Sequence, residues 1–218
     1  KNVEVGNYAE TEDYKFEGTV KSEAMYAAVG KTAAEQYQWT VKMDGVTNPK
    51  DNDGSALKLF TAKDVADNDS DDLAGTARGT VTYVHLDDTA VGSYAGTATV
   101  CIVNTYAAEV IKVTNKTITL SDGNLEFDTT GYAEDDIVLY NKSTKNNSDW
   151  TVETILGKAE LVQGEADTIR NADRVVIGDK TYQYSYRFNN EKGEKLTVSS
   201  VDQNVAFYLD KQGNIIRL

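Results

Sequence analysis

The sequence predicts an all-β fold: small β-barrel or curled-sheet modules in tandem, preceded by an N-terminal mostly-β domain that carries one short helix. Threonine, valine, tyrosine, asparagine, aspartate and glycine are frequent and there is a single proline, a composition typical of strands and turns. Short runs in which apolar and polar residues alternate recur along the chain, and this period of two is that of a half-buried strand.

The clearest of these runs is a β-hairpin at residues 174–188. Its second half alternates polar residues with four aromatic ones: Tyr182, Tyr184, Tyr186 and Phe188. Gly178 and Asp179 supply the turn, because glycine reaches the positive φ that primed hairpin turns need. The aromatic row is either a surface on which a ligand stacks or the apolar core of a module.

A second hairpin, at residues 117–128, favours the core interpretation. Asp122 and Gly123 lie at its tip, and four apolar residues share one face: Ile118, Leu120, Leu125 and Phe127. The two similar hairpins indicate a repeated β module. In both of them the apolar face is the one that such a module would bury. Function is then expected in the parts that do not match: the acidic loops before Gly79, the polar run before Trp150 and the insertion around Gly193.

The chain divides into three predicted segments: an N-terminal mostly-β domain at 1–105, a first β module at 106–160 and a second at 161–218. Alternatively, 106–218 forms one unit. The helix of the first segment is predicted at Ser22–Gln36, with Ser22 as its N-cap, and 61–66 is expected to form a single helical turn. Gly30 interrupts the longer helix, so two short helical turns are an equal alternative.

Charge limits the partners that this chain can have. Its net charge is −13 at pH 7, which argues against nucleic acid and anionic lipid, since both are bound by basic surfaces. No apolar stretch approaches the about 20 residues of a membrane helix, so no membrane insertion is expected. An acidic surface is compatible with bound divalent cations.

Catalytic motifs are absent from the sequence, and we expect no enzyme. His85, the only histidine, follows the alternation of a strand, and the only cysteine, Cys101, lies in an apolar run. A Cys101–His85 dyad is therefore disfavoured, and no nucleophile elbow, phosphate loop or dinucleotide fingerprint occurs. A paired-carboxylate glycosidase is the enzyme alternative, but nothing singles out one pair among 35 acidic residues.

Two acidic loops are candidates for calcium, which takes several oxygen ligands from a flexible loop. Both begin with alternating oxygen-bearing side chains, but Ala62 and Arg78 occupy the positions where the helical calcium loop needs its final glutamate. A looser extracellular calcium site would use Asp51, Asp53, Asp67, Asp69 and Asp71. The preferred interpretation is two solvated acidic loops and no cofactor.

The two tryptophans are candidates for sugar stacking. Trp39 alternates with Tyr37 and Val41, which favours packing in a core. Trp150 follows a polar run, so we expect it to be partly exposed and to be the glycan-binding residue if there is one.

The C-terminal half resembles a known family. The resemblance lies in residues 104–110 (Asn-Thr-Tyr-Ala-Ala-Glu-Val), 138–140 (Val-Leu-Tyr), 178–185 (Gly-Asp-Lys-Thr-Tyr-Gln-Tyr-Ser) and 207–216 (Phe-Tyr-Leu-Asp-Lys-Gln-Gly-Asn-Ile-Ile). These runs are similar to the extracellular β-rich region of surface-layer-homology-domain proteins from gut Clostridia. The resemblance implies an extracellular location at the cell wall of a Gram-positive bacterium, and partners among cell-wall or surface-layer components.

Two functions from different classes follow. The first is a non-enzymatic structural or interaction segment of a bacterial cell-surface protein. The alternative is a carbohydrate-binding module for cell-wall or dietary glycan, with Trp150 in its platform.

Overall fold

The chain is mostly β, which confirms the predicted fold class. The computed structural model describes residues 12–170, 173–189 and 195–218. Strands account for 49% of the chain and helices for 12%, so the helices are additions to a sheet architecture. Gly193, at which function was expected, lies outside the described residues.

The structure divides into two compact units. One contains the described residues up to Asn104 together with Asn141–Thr154, and the other contains Thr105–Tyr140 and Ile155–Leu218. The three sheets occupy 14–104, 106–158 and 160–217. The second unit therefore contains the third sheet and most of the second, whereas residues 141–154, in β8 and β9 of the second sheet, belong to the first unit.

The first sheet has four strands in the order β1-β3-β4-β2. Strands β3 and β4 pair antiparallel and β1 pairs antiparallel with β3, whereas β2 pairs parallel with β4, from Tyr37 opposite Gly96 to Met43 opposite Ile102. The parallel strand β2 therefore ends the sheet. The elements are β1 Tyr14–Glu17, α1 Ser22–Gln36, β2 Tyr37–Met43, α2 Ala62–Ala66, β3 Thr80–Asp87 and β4 Gly96–Asn104.

Helix α1 has the predicted bounds, and Gly30 breaks it as the alternative foresaw. Gly30 has φ 81° and ψ 162°, so two short helical segments meet there at a kink. The predicted N-cap is wrong: Lys21 occupies the cap position, without a side-chain capping bond, and Ser22 is already helical. Ser22 is buried, and its hydroxyl donates to the Asp64 carbonyl of α2 at 2.6 Å, because a buried hydroxyl needs an acceptor.

The core of the first unit lies between α1 and the sheet. Met25, Val29 and Ala33, spaced four residues apart, form the buried face of the helix and pack in one cluster with Val100 and Ile102 of β4. The short helix α2 closes the cluster through its fully buried residue Val65. Trp39 and Val41 of the edge strand β2 are only partly buried against this core, and a groove lies beside them.

The other two sheets follow along the chain. The five-stranded sheet has the order β7-β6-β5-β8-β9, and the six-stranded sheet has the order β10-β14-β15-β13-β12-β11. The strands are β5 Tyr106–Val113, β6 Thr117–Leu120, β7 Glu126–Asp128, β8 Ile137–Thr144, β9 Trp150–Lys158, β10 Glu160–Glu165, β11 Thr168–Arg170, β12 Arg174–Ile177, β13 Lys180–Asn189, β14 Asn204–Leu209 and β15 Ile215–Arg217, with a 3-10 turn at Val198–Ser200.

One sheet of the chain is a nearly closed barrel. In the six-stranded sheet, a Cβ added at Gly164 of β10 would lie 2.7 Å from Ile177 of β12, although three strands, β14, β15 and β13, separate β10 from β12 in the order. A glycine at this position allows the close approach of side chain to backbone that a curled sheet requires.

The hairpin of β12 and β13 has its predicted two-residue turn, and its aromatic face is core. Gly178 has φ 57°. Tyr184 is 2% exposed and meets Phe188 edge to face at 4.8 Å, while Tyr182 meets Phe207 in the same manner at 5.1 Å. The Tyr184 hydroxyl accepts a hydrogen bond from the Leu196 N–H at 2.9 Å. Tyr184 and Phe207 thus belong to one buried core cluster, and Tyr182 and Phe188 pack against it.

The earlier hairpin, β6 and β7, also buries its apolar face, with Ile118 and Leu120 fully buried. Its loop is longer, because five residues separate Leu120 from Glu126, and its outer strand β7 ends the five-stranded sheet. Strand β13 instead lies inside its sheet, between β12 and β15. Each hairpin thus buries its own apolar face, but the two hairpins occupy different places in their sheets.

Candidate functional site

An open groove of about 490 Å³ lies in the first unit beside strand β2. One wall is Trp39, Thr40 and Val41 of β2 itself. The opposite wall is the extended segment 57–61, which precedes α2. The remaining lining residues are Thr47, Asn48 and Ala62.

Trp39 is the largest side chain of the groove and is held at both ends. Its Nε1 donates to the Ala33 carbonyl of α1 at 2.9 Å. Its ring meets Phe60 edge to face, with 6.4 Å between centroids and 64° between planes. The prediction that Trp39 packs in the core is confirmed in part, since the half-buried ring contacts the core cluster and lines the groove at the same time.

The chemistry of the groove is that of a binding surface. Hydroxyls of Thr40, Thr47 and Thr61 and the amide of Asn48 can donate and accept, and Lys58 is the only charged lining residue. None of the lining residues is Asp, Glu, His or Cys, so the groove holds no side chain suited to general acid or base catalysis near neutral pH. It can bind by stacking, apolar contact and hydrogen bonding.

The structure places the predicted calcium ligands in two separate settings. Asp51 and Asp53 stabilise a turn: the Asp51 N–H donates to the Ser55 carbonyl at 2.8 Å, and Asp53 Oδ1 accepts from the Ser55 N–H at 2.9 Å and hydroxyl at 2.6 Å. These hydrogen bonds from Ser55 lower the pKa of the Asp53 carboxyl. The Asp53 carboxylate thus stabilises its own turn.

Asp67, Asp69 and Asp71 line a small cavity of about 150 Å³, together with Asp64 and Asp72 but without Asp51 or Asp53. Two of the predicted ligands have protein partners: Asp67 pairs with Lys63 at 2.8 Å, and Asp69 Oδ1 accepts from the Asp71 N–H at 3.0 Å. Among the described residues, no three His, Cys, Asp or Glu side chains come together in an arrangement that could hold a metal ion.

Trp150 lies at the start of β9 and is half-buried. The Lys142 ammonium sits over its ring, 4.7 Å from the centroid, and Lys142 is itself buried. Such a cation covers one face of the indole, the face that a sugar ring would need for stacking on that side.

Cys101 and His85 lie on neighbouring strands, and neither has the setting of a catalytic group. Cys101 is 3% exposed, and burial raises the pKa of its thiol to about 12, so the thiolate nucleophile is not available near neutral pH. The prediction of a buried thiol is confirmed. His85 Nδ1 lies 3.1 Å from Asp13 Oδ2 on the surface of β3, where Thr99 is its cross-strand neighbour.

Sequence reasoning did not find most of the groove. Leu57, Lys58 and Phe60 line it, but the stretch to which they belong carries no functional signal in the sequence. The groove forms because this stretch folds back beside β2, and no local periodicity reports such a contact. The partial exposure predicted for Trp150 pointed to a different place on the chain.

Comparison with known proteins gives no relative: no family model, no curated protein and no solved structure matches this chain. Among the described residues, no helix has the length and apolar character needed to span a bilayer.

Proposed function

We propose that this chain is a non-enzymatic structural or interaction segment of a bacterial cell-surface protein, located outside the cell at the wall of a Gram-positive bacterium. Its partners are cell-wall or surface-layer components. The observation that carries the proposal is the groove beside β2, which offers aromatic, aliphatic, hydroxyl and amide side chains but no carboxylate, imidazole or thiol.

The aspartate-lined cavity does not support the glycosidase alternative. Its volume, about 150 Å³, is below the roughly 300–1,000 Å³ of typical ligand pockets. Asp64 is part of a capping box with Thr61, and Asp72 pairs with Lys21 at 3.2 Å. A paired-carboxylate mechanism needs one acid and one base free to face a sugar, and these groups are engaged in holding α2 and its flanking loop.

Co-sedimentation with purified Gram-positive sacculi tests the proposal. The pelleted fraction of the chain should exceed that of a control protein of similar acidity, and the same sacculi should release no reducing sugar over the incubation. Absence of co-sedimentation would contradict the interaction role. A time-dependent release of reducing ends that scales with protein concentration would contradict the non-enzymatic role.

A carbohydrate-binding module is the second candidate, favoured by the position of Trp39. Its ring is fixed by Ala33 and Phe60 beside the polar side chains of Thr47 and Asn48, an arrangement that suits a sugar with one apolar face and peripheral hydroxyls. Trp150 is the alternative location for a sugar site.

A glycan array followed by fluorescence titration of matched variants separates these locations. If the groove binds sugar, Trp39→Phe weakens binding while Trp150→Phe leaves it unchanged. The reverse pattern moves the site to Trp150. An array without hits for the wild-type chain removes the carbohydrate-binding candidate and leaves the first proposal intact.

A further inference from the structure

We propose that the loop between β8 and β9, residues 145–149, is part of the binding site, and that Asn147 positions Asn48 on the wall of the groove. The inference deepens the proposed function, and it rests on that function in taking the groove as the surface that contacts the cell wall. Asn147 Nδ2 donates to the Asn48 carbonyl at 3.0 Å, and both residues belong to the first unit. Asn48 in turn lines the groove.

The backbone of residues 47 and 48 depends on this hydrogen bond. The chain before them is held by Val46, which exchanges two hydrogen bonds with the end of β2. The chain after them is held by Pro49, whose carbonyl accepts from the Leu57 N–H of the opposite wall at 2.9 Å. Within the described part of the chain, the bond from Asn147 is the one hydrogen bond that the backbone of residues 47 and 48 makes.

The loop that carries the donor is itself held in place. Asn146 Oδ1 accepts from the N–H groups of Ser148 and Asp149, both at 2.9 Å, and Asn146 Nδ2 donates to Asp149 Oδ2 at 2.6 Å. The Thr144 N–H donates to the Asp44 carbonyl at 2.9 Å, which attaches the end of β8 to the residue that follows β2. The donor amide is therefore presented from a fixed place.

Positioning matters because the side chain of Asn48 is available to a ligand. It is exposed, and its amide has no hydrogen-bond partner among the described residues. An amide both donates and accepts, which suits the hydroxyl groups of a sugar. A side chain whose backbone is already fixed loses less conformational freedom on binding, so the bond from Asn147 should strengthen binding at the groove. The polar run before Trp150 then contributes through the groove.

Co-sedimentation with increasing amounts of Gram-positive sacculi compares two matched variants. Asn147→Gly removes the donor amide and keeps the backbone conformation, because Asn147 has φ 62° and glycine adopts this φ without strain. Ser148→Gly is the control, since it adds glycine to the same loop and leaves the bond to Asn48 in place. We expect Asn147→Gly to raise the half-saturating concentration of sacculi about threefold to tenfold and Ser148→Gly to leave it unchanged. The two variants should melt within about 3 °C of each other.

A double-mutant cycle separates positioning from direct contact with the wall. Asn48→Ala removes the side chain and keeps the carbonyl that accepts from Asn147. If Asn147 acts through the Asn48 side chain, Asn48→Ala weakens binding and Asn147→Gly has no further effect in that background. Losses that add would overturn the inference, since Asn147 would then act independently of Asn48.

Residue-resolved amide hydrogen exchange gives a readout that needs no ligand. Without the bond from Asn147, the neighbouring bond between the Leu57 N–H and the Pro49 carbonyl should open more often. We therefore expect the Leu57 N–H to exchange at least about threefold faster in Asn147→Gly than in Ser148→Gly. The Phe60 N–H, which donates to a different carbonyl at 2.9 Å, should exchange equally in the two variants.

Equal half-saturation for Asn147→Gly and Ser148→Gly, in a chain that does bind sacculi, overturns the inference and leaves the proposed function standing. Equal exchange of the Leu57 N–H in the two variants overturns it as well, whether or not sacculi are bound. A wild-type chain that does not co-sediment contradicts the proposed function, and faster exchange of Leu57 in Asn147→Gly would then still support the positioning of residues 47 and 48.

Discussion

The carboxylate of Asp44 holds Asn104 by two hydrogen bonds, from the backbone N–H of Asn104 at 2.9 Å and from its side-chain amide at 2.7 Å. Asp44 follows β2 and Asn104 ends β4, and both residues are buried, with 2% and 0% exposed. Asp44 also has φ 46°, a left-handed conformation that aspartate, asparagine and glycine adopt most readily. One residue thus terminates β2 and ties its end to the neighbouring strand.

Replacing Asp44 should destabilise the first unit. Asp44→Ala leaves two buried donors without this acceptor, so we expect the free energy of unfolding to fall by about 2–5 kcal/mol. Asp44→Asn tolerates the same φ and retains one acceptor, so its loss should be smaller. Both tryptophans lie in the first unit, and urea denaturation followed by tryptophan fluorescence therefore measures its stability.

Asp53→Ala is the control for that experiment, because Asp53 bonds only to its own exposed turn. Equal losses for Asp44→Ala and Asp53→Ala would contradict the role given to Asp44.

Gly96→Ala should destabilise the same unit for a steric reason. A Cβ at Gly96, the first residue of β4, would lie 2.5 Å from the Asp87 carbonyl oxygen and 2.6 Å from the Tyr37 ring. The backbone carbonyl cannot move without disturbing the β3–β4 pairing, so we expect a loss of about 1–3 kcal/mol in urea denaturation. Thr97→Ala, one residue further along β4, should change the stability by much less, and a tolerated Gly96→Ala would show that the strands can separate there.

The buried thiol of Cys101 should make the first unit less stable in alkaline solution. Its pKa is raised from 9.0 to about 12 in the folded chain, so above pH 9 the unfolded chain loses this proton while the folded chain keeps it. The unfolded state then binds fewer protons, and stability falls as pH rises, by at most about 1.4 kcal/mol per pH unit between pH 9 and 12.

The measurement compares unfolding free energies of the wild-type chain and Cys101→Ala from pH 8 to pH 10.5. The variant lacks this thiol, so the difference between the two should change with pH while shared tyrosine titrations cancel. Parallel pH profiles would show that the thiol is accessible in the folded chain.

Calcium should leave the melting temperature unchanged. An ion that binds only the folded state raises the melting temperature of a protein, and a chelator that removes the ion reverses this rise. The carboxylates of Asp53, Asp67 and Asp69 already accept hydrogen bonds or pair with Lys63, which leaves them poorly arranged as a common ligand set. Calorimetry with added CaCl₂ and then chelator measures this. A rise that Asp69→Asn abolishes and Asp51→Asn does not would place a site in the aspartate-lined cavity.

Local patterns determined much of the fold. The period of two located the hairpins, glycine at 178 marked the turn, and the helix predicted at Ser22–Gln36 has those bounds, with its break at Gly30. Each of these features depends on residues that are close in sequence, so the sequence alone was sufficient. The buried state of Cys101 followed from the same reasoning, since its neighbours in β4 are apolar.

Only the tertiary structure decided what stands beside β2. Its parallel partner β4 begins more than fifty residues later, the far wall of the groove comes from 57–61, and Asp44 meets Asn104 across 60 positions. Such contacts are chosen by the packing of the whole unit, because a strand's period shows which face is buried but not which strand becomes its neighbour or which edge stays open. The sequence by itself determined a β-rich chain with a short broken helix, whereas the groove beside β2 exists only once those elements have packed together.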